Sequence, residues 1–169
     1  MKIANIVSTV TLSSPLDLTL LHKRLPQTEI PGKSPWLKMR LPPDNTYIAF
    51  YKSGKFLITI KDPNKIPIIA EQVLNLLIGI GVDVNIVRIQ IHNIVMQDTI
   101  CLNTSLESLI ANLDPKKSEY EPEQFPGLVY KDWGVSFLLF STGKVIVTGL
   151  KDVGDAEEVI ENFKEVIRS

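Results

Sequence analysis

Period-two alternation of apolar and polar side chains runs through much of this chain, broken by shorter stretches with helical spacing. Residues 2–12, rich in Ile, Val and Thr, predict a strand, and residues 87–102 predict a second of the same kind. A short helix is predicted after each, at 17–25 and at 104–113. In the latter, Leu106, Leu109, Ile110 and Leu113 recur at helical spacing, and Thr104 with Glu107 fits a capping box. Proline-rich turns follow. Three strands are predicted next in each half, at 36–41, 46–51 and 55–61, then at 128–131, 135–140 and 144–150. Gly54 and Gly143 separate the last two strands of each set as hairpins. Each half closes with a helix. Residues 155–168 put Ala156, Val159, Ile160, Phe163 and Ile167 on one stripe. Residues 66–78 are more apolar, with Glu71, Gln72 and Asn75 as a narrow polar stripe, which predicts burial on most sides. Pro67 belongs in the first turn of that helix, because a proline deeper inside costs about 3 kcal/mol.

The element order repeats because the sequence does. Asn5-Ile6-Val7 returns as Asn93-Ile94-Val95, 88 residues on; Ser53-Gly54-Lys55 returns as Thr142-Gly143-Lys144, offset 89. Ile58-Thr59 returns as Val147-Thr148 at offset 89, and Pro31 and Pro35 match Pro122 and Pro126 at offset 91. Each match alone is noise, but their common order marks a duplication, with repeats at 1–88 and 89–169. The predicted class is α+β, an antiparallel sheet with helices over one face.

Alternation also assigns the faces. Asn5, Val7 and Thr9 share one side of the first strand, and Asn93, Val95 and Gln97 the equivalent side in the second repeat. Ala49, Tyr51, Leu57 and Thr59 correspond to Leu138, Phe140, Ile146 and Thr148. Both faces of the sheet are largely apolar, and helices can cover only one. The uncovered face, apolar with a few Asn and Thr, is a candidate binding surface.

Composition adds limits more than direction. With 169 residues, 44% hydrophobic and 22% charged, the chain is long enough for a real core and too apolar for disorder. One cysteine and two histidines argue against disulfides and a zinc site, and no cofactor, metal site or catalytic residue is expected. No phosphate-cradling glycine loop and no nucleophile–histidine–acid spacing occurs, so no enzyme is expected. The longest apolar run, 66–80, is broken by Glu71, Gln72 and Asn75; no membrane partner and a cytosolic location are expected. The formal charge of −1 does not suggest nucleic acid, yet it is unevenly divided. Residues 1–88 carry eleven basic and six acidic side chains, and residues 89–169 carry seven basic and thirteen acidic.

Segments 118–130 and 137–151, which include Glu-Pro-Glu-Gln-Phe-Pro-Gly at 121–127, resemble the second repeat of the TATA-box-binding protein family. Residues 4–10 resemble the opening strand of its first repeat, and the similarity covers essentially the whole chain in the bare form found in archaeal members. The resemblance implies two tandem pseudo-symmetric repeats forming one curved antiparallel sheet, a saddle with helices on its convex face. It implies a general transcription initiation factor that binds double-stranded promoter DNA at a TATA box, bends it, and recruits transcription factor B and, through it, RNA polymerase. Minor-groove binding is the mode for which this family is itself a standard example. A monomer on DNA and a nucleoid location, or a nuclear one in a eukaryote, go with it.

Residue by residue, the resemblance places Asn5, Asn93, Thr59 and Thr148 as donors to the A N3 and T O2 acceptors of the groove. Val7, Thr9, Leu57, Val95, Leu138 and Ile146 would line it and sense the missing amino group of guanine by shape. Phe125, with Pro126 beside it, and Phe140 form the wedge of the second repeat. In the first, Ser34 stands where a phenylalanine is expected and Tyr51 takes the other position; Trp36 is a substitute whose strand parity is open. A serine cannot hold a base step open, which predicts an asymmetric bend. Arg40, Lys131, Lys55, Lys144, Lys61 and Lys151 match basic rim positions that would meet phosphates. Lys131 replaces an arginine common in the family, and Lys61 follows Thr59 by two residues where Lys151 follows Thr148 by three. Glu121 and Glu123 match the acidic loop that docks transcription factor B; the first repeat has Pro31-Gly32-Lys33-Ser34 there, without an acid. The alternative is a divergent paralogue acting mainly as a protein-interaction or regulatory module with weak DNA binding. An accessory domain of a nucleic-acid enzyme is disfavoured, because such domains lack the 121–127 motif.

Overall fold

The computed structural model describes all residues, 1–169. Strands form where β-branched and aromatic residues concentrate. They are β1 (Lys2–Leu12), β2 (Trp36–Leu41), β3 (Thr46–Tyr51), β4 (Lys55–Ile60), β5 (Ile86–Thr99), β6 (Ser118–Glu119), β7 (Leu128–Asp132), β8 (Val135–Leu139) and β9 (Lys144–Leu150). Four helices intervene: α1 (Leu18–Arg24), α2 (Ile66–Gly79), α3 (Leu106–Ile110) and α4 (Ala156–Arg168). The strands pair antiparallel in the order β2-β3-β4-β1 in the first repeat and β5-β9-β8-β7-β6 in the second.

The helix starts repeat as the sequence does. Asp17 caps α1 by accepting the Leu20 N–H at 3.1 Å. A single 3-10 turn leads into α2, opened by Asp62 accepting from Asn64 N–H at 3.0 Å. The same turn leads into α4, with Asp152 accepting from Gly154 N–H at 2.8 Å. Pro67 sits in the first turn of α2, where its missing N–H leaves no internal bond unmade.

Helix α3 departs from expectation. Ser105, not Thr104, is its cap: the Ser105 hydroxyl accepts the Ser108 N–H at 3.2 Å. The Thr104 hydroxyl donates instead to the neighbouring Ser105 carbonyl, and the Glu107 carboxylate accepts from the Tyr120 phenol at 3.2 Å. Neither arm of the predicted capping box closes, and the helix ends at Ile110. Strand β5 ends at Thr99 rather than at 102, and the two-residue β6 is too short to show any periodicity.

Two compact units can be described separately, residues Asn5–His92 and Met1–Ala4 with Asn93–Ser169. In the first, Ile6, Ile48, Phe50, Phe56 and Ile58 are fully buried on one side of the strands. Helix α2 lies against β4 and turns Ile69, Ala70, Val73 and Leu77 inward. In the second unit Phe163 of α4 stacks on Phe137 of β8, with ring centroids 4.2 Å apart and planes 6° from parallel, and Tyr130 of β7 lies 5.5 Å away. Such aromatic contacts add to the area they bury. At the rim of this unit Lys164 pairs with Asp98 at 3.3 Å.

The hairpin glycines are fixed by geometry. Gly54 and Gly143 both have φ of +90°, and a Cβ there would run into the carbonyl of Ser14 or of Ile100. Each glycine carbonyl also holds the strand before the crossing loop, accepting from Leu12 N–H at 2.8 Å and from Ile100 N–H at 2.7 Å. Gly143→Ala is therefore expected to lower stability by on the order of 2–3 kcal/mol in urea unfolding. A loss below about 0.5 kcal/mol would show that the close approach is easily relaxed.

Candidate nucleic-acid interface

In each unit, the strand face opposite the buried core carries the residues singled out above. In the first, Val7 stands across from Thr59 and Thr9 from Leu57. Leu57 then faces Ala49, and Lys55 faces Tyr51. Trp36 faces Tyr51, Lys38 faces Ala49 and Arg40 faces Tyr47. Asn5, Val7, Thr9, Leu57, Thr59 and Tyr51 are all half-buried, so the face is accessible without being loose. Phe50, next to Tyr51, is fully buried on the helix side, as alternation requires.

The rim of this unit is basic. The Arg40 guanidinium lies 5.0 Å from the centre of the Tyr47 ring and donates to the Asn45 carbonyl at 3.3 Å, which holds it at the end of β2. Lys55 is exposed in the hairpin. Lys38 lies on the same face in 3.6 Å contact with Glu29; its position in the pattern was readable, but no motif pointed to it. A shallow pocket of about 330 Å³ at this end is lined by Asn5, Arg40, Tyr47, Thr59 and Lys61, among others. Burial, with Tyr47 nearby, raises the Tyr51 phenol above its ordinary range, so it stays neutral at physiological pH.

In the second unit Gln97 faces Ile146, Leu138 faces Ile146, and Ser136 faces Thr148. Val129 faces Leu138 and Lys131 faces Ser136. Asn93, Val95, Leu138, Phe140, Ile146 and Thr148 are half-buried, while Lys131 and Lys144 are exposed at the margins. The Phe125 and Phe140 rings meet edge to face, centroids 5.9 Å apart, and Phe125 is 39% exposed. Its loop is held by backbone: the Gln124 and Phe125 N–H groups both donate to the Glu121 carbonyl, at 2.9 and 3.0 Å. Pro126 follows, exposed, and the Glu121 and Glu123 side chains are exposed in the same turn.

The register between β5 and β9 slips between Ile94 and Met96, which face Leu150 and Val147. The extra residue is on β9, where Gly149 adopts φ of +97°. This bulge turns the Gly149 N–H onto the Asn93 Oδ1 at 2.8 Å, and the Asn93 Nδ2 sits 3.4 Å from the Thr148 hydroxyl. With Oδ1 engaged as acceptor, the amide is fixed so that Nδ2 is its available donor. The first unit has no counterpart of this glycine: Ile60, which faces Ile6 as Leu150 faces Ile94, follows Thr59 directly, and the register is unbroken from Ile6↔Ile60 to Thr11↔Lys55. No hydrogen bond replaces the brace at Asn5. The bulge also accounts for the one-residue difference in spacing between Thr59–Lys61 and Thr148–Lys151.

Comparison with known proteins agrees with this layout. The family described as "Transcription factor TFIID (or TATA-binding protein, TBP)" matches residues 1–79 and 88–169. The TATA-box-binding protein of Aeropyrum pernix is 36% identical over 99% of this chain and 82% of its own length. That of Archaeoglobus fulgidus is 30% identical over 99% of this chain and 94% of its own. The solved structure of Methanococcus jannaschii TBP superposes with a TM-score of 0.82 at 30% identity, covering 99% of this chain and 97% of that one. Fold, element order and sequence thus agree, and the chain belongs to the TATA-box-binding protein family.

Proposed function

We propose that this protein is a general transcription initiation factor that reads TATA-box promoter DNA from the minor groove, bends it, and recruits transcription factor B and, through it, RNA polymerase. The repeats at 1–88 and 89–169 each supply a reading face. The observation that carries the proposal is the oriented Asn93 amide, set in an apolar surface by the Gly149 N–H. A fixed donor on the same face as Val95, Ile146 and Leu138 suits a groove floor that presents only acceptors. Apolar neighbours exclude water and leave no room for the exocyclic amino group of guanine. Asn5, Thr59 and Thr148 are the further donors, and Val7, Thr9 and Leu57 extend the apolar floor. Phe125 and Phe140, with Pro126 at their side, open a base step. Arg40, Lys55, Lys131 and Lys144 take phosphates along the edges, which makes affinity fall with salt. Net charge near zero is compatible with this, since the floor needs shape and donors while only the rim needs cations.

A gel-shift series with three duplexes tests the reading at fixed salt. Inosine–cytosine pairs present the A·T-like minor groove with a G·C-like major groove, because inosine lacks the 2-amino group. Binding should survive replacement of each A·T pair by inosine–cytosine and fall at least tenfold when guanine replaces inosine. Equal loss with both replacements would place the readout outside the minor groove. Absence of any TATA preference, with transcription factor B present, would favour the protein-interaction alternative, for which the unbraced Asn5 is the supporting observation.

A further inference from the structure

The duplication at offset 91 aligns Ser34 with Phe125 and Trp36 with Gly127. The two positions have exchanged their contents: a ring then a gap in one repeat, a gap then a ring in the other. In the second unit Gly127 lies beneath the Phe125–Phe140 pair. A Cβ on it would come within 2.7 Å of Phe125 Cε1 and 3.2 Å of Phe140 Cε1. Phe125 can lie over Phe140 only because residue 127 has no side chain.

In the first unit the strand register puts Trp36 directly across from Tyr51, on the face it shares with Lys38 and Arg40. Their ring centroids are 6.2 Å apart, against 5.9 Å for Phe125 and Phe140. Trp36 thus carries a ring at the position that has no side chain in the other repeat, and Ser34 is small at the position where the other repeat carries its ring. The Trp36 indole N–H is buried without a hydrogen-bond partner. A ring whose polar atom is unsatisfied at rest has a reason to turn outward when a surface of acceptors arrives.

We propose that Trp36, paired with Tyr51, is the base-step wedge of the first repeat, taking the role that Phe125 fills in the second. The inference rests on the minor-groove reading given above. It reverses the expectation of a weak kink at the first-repeat end drawn from Ser34 alone, since the ring has been moved two residues along the chain and not lost. The indole also adds a donor that no phenylalanine wedge has, and on insertion it faces base and sugar acceptors of the groove.

The test uses the full chain with Trp133→Phe, which leaves Trp36 as the sole tryptophan. Its emission should fall at least twofold on saturation with a TATA duplex and stay unchanged with a scrambled duplex at the same concentration. By FRET across the duplex, Trp36→Gly should reduce the bend about as much as Phe125→Ala does. The double variant Ser34→Phe with Trp36→Gly, which copies the arrangement at 125 and 127, should restore it. Thermal melts identify any variant that is merely unfolded, and the restored double variant then carries the test. Unchanged Trp36 emission with TATA bound, or a bend indifferent to Trp36→Gly in a folded protein, would overturn the wedge while leaving minor-groove binding intact. Failure of the parent protein to prefer the TATA duplex would instead overturn the reading beneath it.

Discussion

Replacing Asn93 by aspartate should raise the Kd for a TATA duplex about 100-fold, equivalent to roughly 2.7 kcal/mol. Aspartate is nearly the same size, and its Oδ1 can still accept the Gly149 N–H that braces asparagine at 2.8 Å. The bulge and the fold should therefore persist. What changes is the other end of the side chain: a donor becomes a charged acceptor, aimed at a groove lined with base acceptors and flanked by phosphates. Lost hydrogen bonding accounts for about 1–3 kcal/mol, and repulsion adds to it. Fluorescence anisotropy at one salt concentration measures the shift. A change below about threefold would remove Asn93 from the reading surface. Asn5→Asp in the unbraced repeat should cost less, because its amide must be ordered on binding in any case.

The second large effect concerns the partner. Reversing both charges, Glu121→Lys with Glu123→Lys, should weaken the complex of protein, DNA and transcription factor B at least about 100-fold, since close interfacial charge pairs couple by about 1.5–7 kcal/mol. Binding to the TATA duplex alone should stay within a fewfold of the parent or tighten slightly. The distinction follows from the loop. Its turn is closed by the Glu121 carbonyl accepting from Gln124 and Phe125 N–H, while both carboxylates are exposed. The side chains can thus be exchanged without releasing Phe125. The matching loop of the first repeat, Pro31-Gly32-Lys33-Ser34, offers no acid, so under the proposed function the partner should engage one end of the protein only and give the assembly a direction. An undiminished ternary complex, followed by gel shift or mass photometry, would place the docking surface elsewhere.

The succession of elements along the chain and the face assignment were legible because they depend on period-two alternation and on a repeat. Every alternate residue of 5, 7 and 9, or of 57 and 59, falls on the predicted side. The cap of α3 was not legible: Thr104 and Ser105 are both good caps by type, and Tyr120, which draws Glu107 away, lies thirteen residues on. The bulge at Gly149 showed only as an unexplained one-residue change in spacing; its effect on the Asn93 amide needs the register with β5. Likewise the small residue at 34 was visible at once, whereas the ring at 36 acquired meaning only when β2 was placed beside β3. Local pattern sets which way a side chain points. Long-range pairing decides what it meets.

Gly127 and Trp36 bear on how descent is traced in this family. An alignment compares one column at a time, and by that measure the first repeat has given up an aromatic residue at position 34. The sheet compares places in space, and by that measure nothing is missing: one ring lies beside the hairpin aromatic in either repeat. Intermediates in such an exchange are awkward, because two rings crowd and none leaves a hole. Positions 34 and 36 should therefore vary together across descendants of this chain, and inheritance there follows the occupied volume rather than the residue at a given column.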